Sequence, residues 1–88
     1  MKTVYKNSFV KDLKKVREKN IKNRVRSMIE DAEQDEKISE LADLKKMRGG
    51  ENYYRIKIGS YRVGVVIDSD TIIFVRFLHR KDIYRYFP

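Results

Sequence analysis

Residues 53–66 read YYRIKIGSYRVGVV, and this stretch decides the fold. Two runs of β-branched and aromatic residues flank Gly59-Ser60, a dipeptide that suits a two-residue hairpin loop with glycine at the first central position. In that register Lys57 lies directly across from Arg62, although like charges placed opposite each other destabilise a sheet. The sequence therefore predicts a hairpin that ends in an unfavourable pair of cations.

Side chains alternate across a strand, so the hairpin has one basic face and one apolar face. The basic face carries Arg55, Lys57 and Arg62. The apolar face is expected to form the core beneath helices, and it contains Tyr54, Ile56, Ile58, Tyr61, Val63, Val65 and Ile67.

The next predicted strand, residues 71–79, follows a turn at residues 68–70. A three-residue loop would place Arg76 across from Arg62. A loop of two or four residues would instead bury Arg76 without a partner, at a cost of several kcal/mol. We therefore predict the three-residue loop, which brings Ile73, Val75 and Phe77 into the core.

With this register one face of the sheet gathers cations and no acid. Such a cluster does not stabilise the fold, because its like charges repel each other. Residues that are unfavourable for folding are expected at functional sites. We expect this face to bind phosphate; the alternative is that its cations extend into water or pair with acids from residues 30–45. The cations are Arg55, Lys57, Arg62, Arg76 and Arg80, beside the apolar Ile72, Phe74 and Leu78.

The sequence before the hairpin has helical periodicity. Residues 2–6 form a strand candidate, Asn7-Ser8 supplies N-cap chemistry, and residues 81–88 suggest one helical turn. The order predicts an α+β domain over residues 1–88, in which an N-terminal strand and a helical hairpin pack on one face of a largely antiparallel, twisted four-stranded sheet. Three helical stripes support this: Phe9, Val10, Leu13 and Val16; Ile21, Val25, Met28, Ile29 and Ala32; and Ile38, Leu41 and Leu44, ended by Gly49-Gly50.

Composition restricts the possible functions. The formal net charge of +8 makes a polyanion the first partner to consider. The absence of cysteine excludes a disulfide scaffold and fits a cytoplasmic protein, and neither a secretory signal nor a membrane-length apolar run is recognisable. One histidine and scattered acids give no metal-ligand set, and no cofactor-binding motif is present.

A cluster of arginine and lysine can also catalyse RNA cleavage. The 2′-hydroxyl attacks the adjacent phosphorus, guanidinium groups stabilise the charge on the phosphate oxygens, and a base and an acid move the protons. Lys57 could act as the base because its arginine neighbours favour loss of its proton, whereas an arginine cannot deprotonate. Tyr84 could stack on a base or transfer a proton, while His79 is predicted on the opposite face from Arg80 and is interpreted as structural.

Four segments together resemble the RelE/ParE superfamily, small bacterial toxins of type II toxin–antitoxin systems. They are LKKMRG (44–49), YRIK (54–57), GSYR (59–62) and HRKDIY (79–84), within a resemblance that covers nearly the whole chain. For the RelE branch it implies metal-independent cleavage of messenger RNA in the ribosomal A site, with no cofactor. The family's catalytic residues then correspond to Arg55, Lys57, Arg62, Arg80 and Tyr84, with His79 and Arg76 as possible accessories.

The resemblance also implies partners. A cognate antitoxin would hold the monomeric toxin in a hetero-oligomeric complex, covering the basic face and the apolar residues near Phe74. The ParE branch shares the fold but inhibits DNA gyrase, and a non-catalytic antitoxin-binding relic is a third possibility. Basic residues elsewhere would contact ribosomal RNA unless they merely solvate their helices: Lys14, Lys15, Lys22, Arg24, Arg26, Lys46, Arg48 and Lys81.

Overall fold

The hairpin has the predicted register. The computed structural model describes residues 1–34 and 43–88. Strands β3 (Tyr53–Ile58) and β4 (Tyr61–Asp68) pair antiparallel, with Lys57 opposite Arg62 and Ile58 opposite Tyr61. Gly59 has a φ of 56°, which glycine adopts without the steric cost that a side chain would bring.

The hairpin lies within a five-stranded sheet, one strand more than predicted. The sheet order is β1-β5-β4-β3-β2; β1 pairs with β5 in parallel, and the other neighbours are antiparallel. The predicted α+β class, with a helical hairpin on one face, is confirmed. The other elements are β1 (Lys2–Tyr5), α1 (Asn7–Lys14), α2 (Lys19–Gln34), β2 (Leu44–Lys46), β5 (Thr71–His79) and α3 (Ile83–Tyr86).

Strand β2 replaces the predicted third helix at its C-terminal end. Leu44 pairs with Ile56 and Lys45 pairs with Arg55, so this segment forms the edge of the sheet. The prediction took Leu44 as the last residue of a helical stripe, but three residues are too few to distinguish periods of 3.6 and 2. The other two residues of that stripe, Ile38 and Leu41, lie outside the described residues.

The core lies between the two long helices and the apolar face of the sheet. Helix α2 buries Ile21, Val25, Met28 and Ala32, as its periodicity predicts. These residues pack with Phe9 and Val16 against the strands. The strand residues that are buried in this core are Ile56, Ile58, Val63, Val65, Ile72, Phe74 and Phe77.

The register of β5 differs from the prediction. Asp68 pairs with Thr71, so the turn has two residues rather than three. Farther along, Val65 pairs with Phe74 and Gly64 pairs with Arg76, which leaves Val75 as the extra residue of a β-bulge. The bulge reverses the alternation, so a two-residue turn does not bury Arg76 in the apolar core.

Helix α1 satisfies the backbone groups that the bulge exposes. The Ser8 hydroxyl donates a hydrogen bond to the Val75 carbonyl at 2.6 Å, and the Phe77 N–H donates to Asp12 Oδ2 at 3.0 Å. The predicted capping role of Asn7-Ser8 is therefore wrong: Lys6 is the N-cap, without a side-chain cap hydrogen bond. Unpaired backbone groups are costly inside a protein, so these two bonds stabilise the irregular strand.

A second, smaller core covers the other face of the sheet. The chain after β5 turns back across this face, and Ile83 and Phe87 pack there with Met47. The predicted helical turn is thus present as α3, whereas Ile73 and Val75 lie outside the main core to which the prediction assigned them. None of the described helices is both long and apolar enough to span a bilayer.

Replacing Gly64 by alanine is expected to loosen this second core. A Cβ atom at position 64 would lie 2.6 Å from Cδ2 and 2.7 Å from Cγ of the Phe87 ring, so the ring must move away. We expect a loss of about 1–3 kcal/mol in the free energy of unfolding, as is typical of overpacking. Urea titration measures it, with Ser60→Ala in the exposed hairpin turn as the control. Equal stabilities of the two variants would show that Phe87 does not depend on this glycine.

Candidate functional site

Three basic residues surround the Gly59-Ser60 turn. Lys57 and Arg62 are cross-strand partners at the end of the hairpin. The backbone N–H of Arg80 donates a hydrogen bond to the Ser60 carbonyl at 2.8 Å, which ties the residue after β5 to the same turn. Lys57 and Arg80 are 23 residues apart in the sequence, and the sheet brings their backbones to the same turn.

The turn itself holds the guanidinium group of Arg62. Its Nη1 donates to the carbonyl oxygens of Gly59 at 3.0 Å and Tyr61 at 2.8 Å. Carbonyl groups are neutral, so these bonds orient the side chain without cancelling its charge. Because a guanidinium has five N–H donors, those on Nε and Nη2 stay available to a ligand.

Helix α3 brings Tyr84 to the same face of the sheet. The guanidinium carbon of Arg55 lies 5.8 Å from the centre of the Tyr84 ring, a cation–π arrangement. The tyrosine is 62% exposed, so much of its ring and hydroxyl face solvent. Arg55 and Lys57 are two residues apart on β3, which places both on this face.

Four of the predicted site cations have no acidic partner in the described part of the chain. Within residues 1–34 and 43–88, no carboxylate lies within 4.0 Å of Arg55, Lys57, Arg62 or Arg80. The same residues contain no group of three or more His, Cys, Asp or Glu side chains that could hold a metal ion. The guanidinium groups of Arg55, Arg62 and Arg80 are cationic hydrogen-bond donors.

Arg76 does not belong to this group, contrary to the prediction. Its Nε donates to Asp12 Oδ2 at 2.7 Å and its Nη2 to Asp12 Oδ1 at 3.1 Å. The hydrogen bond to this carboxylate raises the pKa of Arg76 above its usual value. The guanidinium carbon also lies 5.8 Å from the ring centre of Tyr86. Its partners come from α1 and α3, so Arg76 joins structural elements rather than serving as a free cation.

The apolar residues predicted beside the cations are also placed differently. Ile72 and Phe74 are fully buried in the main core, because the two-residue turn puts them on the helix side of the sheet. They offer no surface to a partner, which corrects the expected contact near Phe74. Leu78 does lie opposite Arg62, where it packs against the second core.

His79 makes structural contacts. Its Nδ1 accepts a hydrogen bond from the Lys81 N–H at 3.2 Å, and its ring packs edge-on against Tyr61. The structural role of His79 stays a prediction.

The remaining predicted cations are exposed, and Arg24 lines an open cavity with Lys57 beside the hairpin turn. Those on the helices, which are Lys14, Lys22, Arg24 and Arg26, and Lys15 just after α1, face solvent. Lys81 is exposed beside the hairpin turn. Lys46 and Arg48 instead line an open cavity next to Arg55 and Tyr84.

Lys45 is the residue that sequence reasoning missed. It is exposed, lies opposite Arg55, and lines the same cavity. A helical interpretation of residues 38–44 concealed it, because cross-strand neighbours can be recognised only after β2 is assigned as a strand. The alternation of Leu44 with Lys45 was the available signal, but it was too short to decide.

Comparison with known proteins identifies the family. The model for the ParE toxin of the type II toxin–antitoxin system parDE matches residues 4–84. Toxin RelE3 of Methanocaldococcus jannaschii is 47% identical over 89 residues and the full length of both chains. Putative toxin RelE1 from the same organism is 34% identical over 74 residues, which cover 83% of this chain and 81% of the relative.

Solved structures have the same fold. A chain in the crystal structure of the RelB-RelE antitoxin–toxin complex from Methanococcus jannaschii matches with a TM-score of 0.82 and 45% identity, covering 97% of this chain and 99% of that one. The isolated RelE toxin of E. coli matches with a TM-score of 0.63 and 18% identity, covering 96% and 90%, which is a likeness of fold alone. The chain therefore belongs to the RelE/ParE superfamily of toxins of type II toxin–antitoxin systems.

Proposed function

We propose that this toxin is an endoribonuclease that cleaves messenger RNA on the ribosome, by attack of the 2′-hydroxyl and without a metal ion. The observation that carries the proposal is the group of Lys57, Arg62 and Arg80 around one turn, with no carboxylate partner among the described residues. Stabilising charge on a phosphate needs fixed donors of this kind.

The proposed reaction uses side chains alone. The 2′-oxygen forms a bond to phosphorus as the bond to the 5′-oxygen breaks, which leaves a 2′,3′-cyclic phosphate and a free 5′-hydroxyl. Lys57 serves as the general base that accepts the 2′-proton. Arg62 and Arg80 donate hydrogen bonds to the non-bridging oxygens, and Tyr84 supplies the proton to the leaving oxygen.

Arg62 is suited to its role by the hairpin. Two carbonyl oxygens already fix its Nη1, so little side-chain freedom is lost when phosphate binds. Arg55 has a different role. Its guanidinium group lies against the ring of Tyr84 and holds that ring beside the site. The exposed cations of the helices and of residues 46, 48 and 81 are proposed to contact ribosomal RNA.

An antitoxin is the proposed protein partner. The solved RelE relative at 45% identity was crystallised with its antitoxin RelB. A monomeric toxin within such a hetero-oligomeric complex is the arrangement that we propose for this chain. The antitoxin would neutralise the exposed basic face around the Gly59-Ser60 turn.

Inhibition of DNA gyrase is the second candidate function. The match to the ParE family model favours it, since that branch of the superfamily is associated with gyrase. Gyrase inhibition requires no cleavage of transcripts, whereas the nuclease function does. The two candidates therefore differ in whether transcripts are cleaved.

One experiment separates the two functions. The chain is induced in bacteria without an antitoxin, and transcript ends and DNA breaks are mapped together. The nuclease proposal expects new transcript ends that carry 2′,3′-cyclic phosphate. DNA breaks with intact transcripts would establish the gyrase alternative, and undiminished growth arrest by a folded Lys57→Ala/Arg80→Ala double variant would rule out the proposed chemistry.

A further inference from the structure

One row of the sheet holds the C-terminal segment. Gly64 of β4 pairs with Arg55 of β3 on one side and with Arg76 of β5 on the other. Directly opposed residues of neighbouring strands project from the same face of a sheet. The row therefore places a glycine between two arginines on the face that α3 and the residues after it cover.

Each member of this row contacts one aromatic ring of the C-terminal segment. The ring of Phe87 lies against Gly64, where a Cβ atom would come within 2.6 Å of it. The guanidinium carbons of the two arginines each lie 5.8 Å from a ring centre, that of Tyr84 for the β3 arginine and that of Tyr86 for the β5 arginine. Three rings thus dock the segment on three neighbouring strands.

The two arginines differ in how firmly they are held. Arg76 donates two hydrogen bonds to Asp12, whose side chain is 6% exposed. Arg55 has no carboxylate within 4.0 Å in residues 1–34 and 43–88. Arg55 can therefore leave the ring of Tyr84 to bind a phosphate, whereas the ion pair keeps Arg76 in place beside Tyr86.

Helix α3 depends on such contacts because it is very short. It has four residues, Ile83–Tyr86, and its N-cap Asp82 makes no side-chain cap hydrogen bond. Isolated helices shorter than about 12 residues are marginal in water, so the sheet must fix this one. Ile83 and Phe87 are buried and anchor it, whereas Tyr86 is 53% exposed. Because a cation–π contact requires the cation to lie over the ring face, Tyr86 adds an orientation that apolar packing does not specify.

We propose that Tyr86 is a positioning residue for RNA cleavage. Its contact with Arg76 holds α3 in place, so that the Tyr84 hydroxyl stays beside the leaving 5′-oxygen when Arg55 engages the RNA. Asp12 belongs to the same chain of contacts, because it fixes Arg76. The proposal rests on the proposed nuclease function and adds a residue that touches neither the RNA nor the reacting atoms.

Simple anchoring of α3 is the alternative role for Tyr86. In that case loss of the ring loosens the helix, and cleavage falls by the same factor whatever the leaving group. The proposed role differs, because it acts only through the proton that Tyr84 gives to the leaving oxygen. A measurement specific to that proton separates the two roles.

The test compares two RNAs of the same sequence in single-turnover cleavage on programmed ribosomes. One has the natural 5′-oxygen at the scissile bond, and the other has sulfur in place of that atom. A thiol has a pKa of about 8.5, so the sulfur leaves as a thiolate and needs no proton from an acid. Tyr86→Leu should slow cleavage of the oxygen RNA about 10–100-fold, as expected when a catalytic group is displaced by about 1 Å, and slow the sulfur RNA less than about threefold.

Three further variants provide the controls. Tyr86→Phe keeps the ring and should cleave both RNAs within about twofold of the wild-type rate. Arg85→Gln changes an exposed neighbour on α3 and should behave in the same way. In a Tyr84→Phe background, Tyr86→Leu should cause no further loss with the oxygen RNA, because the proton donor is already absent. An equal loss with both RNAs, an equal loss in Arg85→Gln, or additive losses in the double variant would overturn the positioning role.

NMR of the free protein tests the same role without RNA. Nuclear Overhauser contacts between the Tyr84 ring and the Arg55 side chain should be present in the wild-type protein and in Tyr86→Phe, and should be lost in Tyr86→Leu. Contacts retained in Tyr86→Leu would overturn the proposal and leave the nuclease function intact. A wild-type protein that cleaves neither RNA but shows these NMR differences would reject the nuclease function, while the positioning of Tyr84 by Tyr86 would stand.

Discussion

Lys57→Ala is expected to reduce the rate of transcript cleavage by about 10²–10⁴-fold, the usual contribution of a general base. The same change should not destabilise the fold, because Lys57 is exposed and lies opposite another cation. Removing that repulsion should leave the free energy of unfolding unchanged or raise it by a few tenths of a kcal/mol. Cleavage activity is thus expected to fall without any loss of stability.

Cleavage rates on programmed ribosomes and urea unfolding measure the two effects. Lys57→Arg is the informative companion, because it keeps the positive charge but cannot lose its proton. If Lys57 only attracts phosphate, the arginine variant should retain activity; if it is the base, both variants should be inactive. Cleavage at the wild-type rate by Lys57→Ala would remove this residue from the mechanism.

Asp12→Ala is expected to have the largest effect on stability, about 3–5 kcal/mol, as is usual when one partner of a buried ion pair is removed. The aspartate is 7% exposed and accepts three hydrogen bonds, two from Arg76 and one from the Phe77 N–H. Without it, a partly buried guanidinium and a buried backbone donor lose their partner together.

Asp70→Ala is the matched control for this prediction. Asp70 forms an exposed pair with Lys2 at 3.9 Å, and such surface pairs contribute about 1 kcal/mol or less. Urea unfolding of both variants gives the comparison. Similar losses of unfolding free energy in the two variants would mean that the bulge does not depend on Asp12. The position of Asp12 between α1 and β5 would then need another explanation.

The hairpin and helix α2 could be predicted because their signals are local. Gly59-Ser60 specifies the turn, and strict alternation around it fixes which side chains share a face, so the opposed Lys57 and Arg62 follow from the sequence alone. Ile21, Val25, Met28 and Ala32 repeat at helical spacing over three turns, which leaves little ambiguity.

The course of β5 could not be predicted in the same way, because its bulge depends on a distant contact. A three-residue turn follows from the sequence only if alternation continues from Thr71 to Phe77. A single extra residue, Val75, reverses the alternation. Its own carbonyl accepts a hydrogen bond from Ser8, and the nearby Phe77 N–H donates to Asp12, and both partners are more than 60 residues away in the chain. Arg76 is not left buried without a partner, as the prediction requires, but the reason is its ion pair with Asp12 and not the length of the turn.

The candidate site was partly predictable for the same reason. Arg55, Lys57 and Arg62 belong to the hairpin, so their common face follows from local pattern. The approach of Tyr84 to Arg55 depends on how the C-terminal segment crosses the sheet, where Gly64 leaves room for Phe87. Lys45 depends on a three-residue edge strand, a length at which sequence pattern carries little information.

The most direct measurement of the proposed chemistry compares two messenger RNAs on ribosomes treated with this toxin. One is entirely ribonucleotide, and the other has a single 2′-deoxynucleotide immediately before the cleaved bond, which removes the attacking hydroxyl. We predict that the first is cut to leave a 2′,3′-cyclic phosphate and that the second is not cut at that position. Cleavage of the deoxy-substituted message at the same bond would contradict attack by the 2′-hydroxyl, and with it the role given to the cations around the hairpin turn.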